Sequence, residues 1–101
     1  MELFRGDTFL KQIVSSYQFR VGDKFHIAIM KNAYSKDYLY EKTITVEIES
    51  NEFDLEIEPE ATRELPTRKL LLEIELTTVD GIVATNQYEI EVKADGIYER
   101  N

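Results

Sequence analysis

At 101 residues the chain has room for one domain, residues 1–101, and not for two; 43% hydrophobic and 32% charged residues make it globular rather than disordered. It holds no cysteine, which excludes a disulfide framework and a thiolate metal site and leaves the core alone to hold the fold. Twelve basic against 20 acidic residues give a net charge of −8, which keeps a small protein soluble and works against a nucleic acid as partner, since phosphate binding needs several Lys or Arg.

Met1 leads straight into "ELFRGDTF", without a basic or an apolar leader region, so no secretory signal is expected. Apolar runs such as Leu70-Leu71-Leu72 fall far short of the ~20 residues that cross a bilayer, so synthesis in the cytoplasm and no membrane partner are expected. Arg5-Gly6-Asp7 spells an integrin adhesion signal, but a second site argues otherwise. "FRGDTF" (4–9) and "FRVGDKF" (19–25) share an aromatic, a basic residue, Gly-Asp, a spacer and a second aromatic that opens an alternating strand. In both, the predicted role is a turn that feeds a strand: Gly6 and Gly22 relieve the backbone, and Asp7 and Asp23 bond nearby N–H groups. Arg5 is then expected to matter little for stability.

Period-two alternation marks the strands. "KFHIAI" sets Phe25, Ile27 and Ile29 on one side, "TITVEIE" Ile44, Val46 and Ile48, and "FDLEIE" Phe53, Leu55 and Ile57. "LLEIEL" continues with Leu72, Ile74 and Leu76, and "YEIEV" with Tyr88, Ile90 and Val92. Turns are predicted at Gly22-Asp23, Ser50-Asn51, Asp80-Gly81 and Asp95-Gly96, with Asp80-Gly81 as a hairpin between strands at 70–78 and 82–93. "PEATREL" (59–65) is the one candidate helix, started by Pro59 and limited to a turn by Pro66. About seven short strands spaced by turns give an all-β fold, an immunoglobulin-like antiparallel β-sandwich, with a five-stranded barrel as the alternative.

Chemistry-bearing residues are sparse. His26 is the sole histidine, on the side of its strand opposite Phe25; with no cysteine and no G-x-S-x-G it reads as a rim residue rather than a catalytic base. Asp54, Glu56 and Glu58 alternate along one strand, nearly 7 Å apart, too far to wrap one calcium ion, and read as a charged outer face. No catalytic, cofactor or metal residues are assigned. "NAYSKDYLYEK" (32–42) carries Tyr34, Tyr38 and Tyr40, which suit a protein or sugar contact or equally cap the open end of the sandwich.

Three segments together carry a resemblance: Arg5-Gly6-Asp7-Thr8; then Glu60, Thr62 and Leu65; then Leu72, Ile74, Leu76, Asp80, Gly81, Val83 and Thr85, leading to Tyr88, Ile90 and Val92. In this order they resemble the immunoglobulin-like domain of phage and prophage tail and baseplate proteins, and are similar to the N-terminal domain of upper baseplate proteins. The resemblance implies a non-enzymatic virion structural module without a cofactor. Its partners would be other tail or baseplate proteins or copies of itself, and its destination the virion. The net charge offers a different reading, an acidic inhibitor that imitates DNA and blocks a host nucleic-acid-binding protein; a sugar-binding sandwich is a third, weakened by the absence of tryptophan.

Overall fold

The computed structural model describes residues 1–35 and 37–94. In chain order it places β1 (Glu2–Phe4), β2 (Phe9–Phe19), β3 (Lys24–Met30), β4 (Tyr40–Thr45), β5 (Ser50–Ile57), α1 (Pro59–Arg63), β6 (Lys69–Thr77) and β7 (Val83–Lys93). The fold is all-β. Five strands form one sheet in the order β1-β7-β6-β3-β4, and β2 and β5 form a second sheet of two.

The alternation decides which side of each strand is buried. Phe25, Ile27 and Ile29 of β3, Leu70, Leu72 and Ile74 of β6, and Ile90 and Val92 of β7 face one core. Phe9 and Phe19 of β2 and Leu55 and Ile57 of β5 face it from the other sheet. Phe25 ties the two together, edge-on to Phe19 at 5.1 Å and stacked on Phe53 at 4.2 Å between ring centroids. Aromatic pairs of these geometries add to plain area burial. β3 is central in its sheet, and Ala28 and Met30 on its other face are buried too.

The chain departs from the sequence expectations in four places. All pairings are antiparallel except β1 with β7, which is parallel through Leu3 opposite Val92. The chain starts in the five-stranded sheet and, after the turn at Phe4–Asp7, crosses to the other sheet as β2. Ser50-Asn51 is not a turn but the opening of β5, and the strand expected to run through Ile48 stops at Thr45. The cause is that the partner runs out: Val46 still continues the ladder, its N–H donating to the Asp23 carbonyl at 2.8 Å and its carbonyl accepting from Gly22 N–H at 3.0 Å, but β3 begins at Lys24 and the turn at Gly22-Asp23 ends the pairing there. Ile48 is left 80% exposed. The fourth departure concerns Arg5, taken up below. The Asp95-Gly96 turn lies outside the described residues.

The helix and the hairpin fall where the sequence puts them. α1 is a single short helix with Pro59 at its first turn. β6 and β7 form a hairpin in which Thr78 N–H donates to the Ile82 carbonyl and Gly81 N–H to the Thr78 carbonyl, with Gly81 at φ +86°. Among the described residues no helix is long and apolar enough to cross a membrane.

Candidate interaction surfaces

The two Gly-Asp sites are the same turn. Asp7 N–H donates to the Phe4 carbonyl at 3.2 Å and Asp23 N–H to the Arg20 carbonyl at 3.0 Å, and each places its glycine third, with φ +85° at Gly6 and +99° at Gly22. A positive φ at that position is what a type II turn demands and what glycine supplies at least cost. At Gly22 a side chain meets a second obstacle, since a Cβ there would lie 2.9 Å from Val79 Cγ1.

What holds each turn differs. Asp23 is fully buried, and its carboxylate accepts hydrogen bonds from Arg20 N–H (2.9 Å), Val79 N–H (3.0 Å) and the Tyr17 hydroxyl (2.9 Å). Burial pushes this carboxyl up, but the donors from Arg20, Val79 and Tyr17 together with the Arg20 charge outweigh it and hold the group below its ordinary value. Arg20 also bonds the Tyr17 hydroxyl and pairs with Asp80, so the β2–β3 turn is joined to the β6–β7 turn. The other aspartate, Asp7, is exposed, and its turn is held from outside by α1. The buried Thr62 hydroxyl accepts from Gly6 N–H at 3.1 Å and donates to the Asp7 carbonyl at 2.8 Å, with the Pro59 carbonyl at 3.1 Å as its other acceptor. Arg5, expected to be dispensable, donates through Nε (3.2 Å) and Nη2 (2.9 Å) to the Arg63 carbonyl at the end of α1. Arg5-Gly6-Asp7 is a docked turn rather than a mobile loop tip.

The three tyrosines are not presented together. Tyr34 is 93% exposed, and Tyr38 is half-exposed with its ring edge-on to His26. Tyr40 instead packs against the core, and burial followed by the neighbouring Glu58 carboxylate pushes its phenol up. His26 is half-buried on the face of β3 opposite Phe25, 2.6 Å from Glu41. Asp54 and Glu56 of β5, and Glu58 just after it, are exposed, as expected of a charged outer face. Among the described residues no three His, Asp or Glu side chains gather into a group able to hold a metal ion.

A further surface was not anticipated. On one side of the molecule the sheets do not close, and a groove of about 390 Å³ opens between the second half of β2 and the first half of β7. Ile13 and Tyr17 line it from β2, Ala84 and Asn86 from β7, and Ile74 and Leu76 form its floor. Sequence periodicity missed it because the inward positions of β2 alternate Phe9, Lys11, Ile13, Ser15 and Tyr17, too mixed to stand out. A different signal was available: Gln12–Phe19 and Gly81–Tyr88, eight residues each, are the two longest stretches without Asp, Glu, Lys or Arg. Compared with known proteins, the chain matches no protein-family model, no curated protein and no solved structure.

Proposed function

We propose that the protein is a non-enzymatic structural module of a phage or prophage tail or baseplate, which works by packing against other tail proteins or copies of itself. One observation carries the reading. Two of the three segments that bear the resemblance, Arg5–Thr8 and Glu60–Leu65, lie far apart in sequence yet meet through Thr62, Gly6, Asp7 and Arg5. The third segment is the β6–β7 hairpin. The residues that resemble the tail family thus meet at joints of one fold, which supports the reading.

The strand order supports the immunoglobulin-like part of the reading. In a variable-type immunoglobulin sandwich, strands C′, C, F and G share one sheet and B and E the other. Taking β2 to β7 in turn as B, C, C′, E, F and G reproduces both sheets, with β1 beside G. Function follows from fold only by analogy, so it needs its own test. Particles purified from a bacterium that makes a tagged copy of the chain during phage growth should carry it at a fixed ratio to the tail proteins. A chain recovered only outside the particles contradicts the reading.

The exposed row of Asp54, Glu56 and Glu58 favours a second reading, an acidic inhibitor of a nucleic-acid-binding protein. That reading requires a complex with a basic protein that weakens steeply as salt rises.

A further inference from the structure

We infer that the side of the molecule formed by β2 and β7 is a two-fold interface between copies of this chain, with the two β7 strands paired antiparallel about Thr85. The inference rests on the packing-module reading and gives that reading a surface.

β7 has a bare edge. β6 covers it on one side along its whole length, but on the other side β1 reaches only Glu91–Lys93. Glu91 N–H points to that outer side, where it donates to the Met1 carbonyl at 2.9 Å. Amides alternate along an antiparallel strand, so Val83, Thr85 and Gln87 point their N–H and C=O groups outward as well, with no strand among the described residues beside them. β2 is likewise paired on one side only, by β5. Natural sheets blunt such edges with charged side chains. The other bare edges of this chain do so: β4 carries Glu41 and Lys42, and β5 carries Glu52, Asp54 and Glu56. The stretches of β2 and β7 that flank the groove, Gln12–Phe19 and Val83–Tyr88, do not, with Lys11 and Glu89 only at their far ends, although nearly one residue in three of the chain is charged.

The absence of charge selects the occupant. Copies with a net charge of −8 repel one another, and a face that carries none of that charge is where two of them meet at least cost. Antiparallel pairing of β5 with itself would set carboxylate against carboxylate. Pairing of β7 with itself about Thr85 sets threonine against threonine and Val83 against Gln87, with like charges nowhere opposed, and Thr–Thr pairs across strands are favourable. The same two-fold brings the uncharged second half of β2 to its counterpart. This explains why two stretches far apart in sequence are both free of charge and end on one side of the fold. Exposed Val14, Ile82 and Val83 at the rim of the face add apolar area to be covered.

The chain has no thiol, so Thr85→Cys introduces the only one. A short bismaleimide should join Thr85→Cys into covalent dimers roughly tenfold or more faster than Ile48→Cys, another exposed position, beyond the opposite edge strand β4, because pairing raises the effective concentration. Thr85→Lys, which faces solvent in the monomer and sets two ammonium groups together in the dimer, should sediment as a folded monomer where the wild-type chain is a dimer. Equal crosslinking at both positions overturns the inference, as does a wild-type dimer that Thr85→Lys leaves intact. A chain that is monomeric at every concentration yet incorporated into particles overturns the interface alone and leaves the tail reading standing. A chain absent from particles but dimeric through Thr85 does the reverse.

Discussion

The turns at Phe4–Asp7 and Arg20–Asp23 have the same hydrogen bond, the same glycine position and the same Gly-Asp dipeptide, yet are stabilised from opposite directions. At the second, the aspartate is the keystone: it turns inward, loses all contact with water, and collects donors from Tyr17 of β2 and from one residue on each of two turns. At the first, the aspartate side chain faces solvent and the turn is gripped by Thr62 and Arg5. A shared dipeptide therefore fixes the backbone shape of a turn and not the role of its side chains. That role depends on what the rest of the fold brings within reach.

The largest separation between the two sites should come from the aspartates. Asp23→Ala leaves three donors without their acceptor and should cost about 2–4 kcal/mol, whereas Asp7→Ala should stay within about 0.5 kcal/mol. Urea unfolding of both variants checks this, and equal losses would erase the distinction. Next comes the grip on the first turn. Thr62→Val keeps the shape and removes the hydroxyl, and should cost about 1–2 kcal/mol because Gly6 N–H and the Asp7 carbonyl lose their partner. Arg5→Ala should cost less, about 0.5–1 kcal/mol, since its bonds to the Arg63 carbonyl are near solvent. If Thr62→Val and Asp23→Ala proved additive with Arg5→Ala alike, Arg5 and Thr62 would not act as one clamp.

The smallest effect is a matter of acid. The folded Asp23 carboxyl sits below its ordinary value, so its contribution is fully present above the unfolded pKa of about 3.9 and is lost as pH falls through the lower, folded value. Asp23→Asn should be less stable than the wild type at neutral pH and lose less stability on acidification. Thermal melts between neutral and strongly acidic pH measure the difference. Parallel curves for the two proteins would mean that the carboxylate's charge contributes nothing.

Much of the fold was legible because half-buried strands must alternate. Phe25, Ile27 and Ile29, or Leu72 and Ile74, announce both the strand and its inner side. Legibility failed where a long-range contact overruled the local pattern. Nothing in "TITVEIE" says that the partner strand ends in the Gly22-Asp23 turn opposite Val46, so the exposure of Ile48 could not be read there. The tyrosines failed for a similar reason, since the loop's composition does not tell which ring the core takes, and it takes Tyr40. The open side between β2 and β7 was written in the sequence, but as missing charge rather than as apolar pattern, and only the topology shows that the two uncharged stretches share a side.

That the protein works by packing, through this uncovered side, is tested most directly by amide hydrogen exchange along β7 at rising protein concentration. Ala84, Asn86 and Tyr88 turn their amides toward β6 and should be protected at every concentration. Val83, Thr85 and Gln87 should exchange quickly when dilute and become protected as the protein is concentrated, while the bare edge of β4 does not change. Fast exchange at Val83, Thr85 and Gln87 at all concentrations, or protection that rises at β4 instead, would contradict the account.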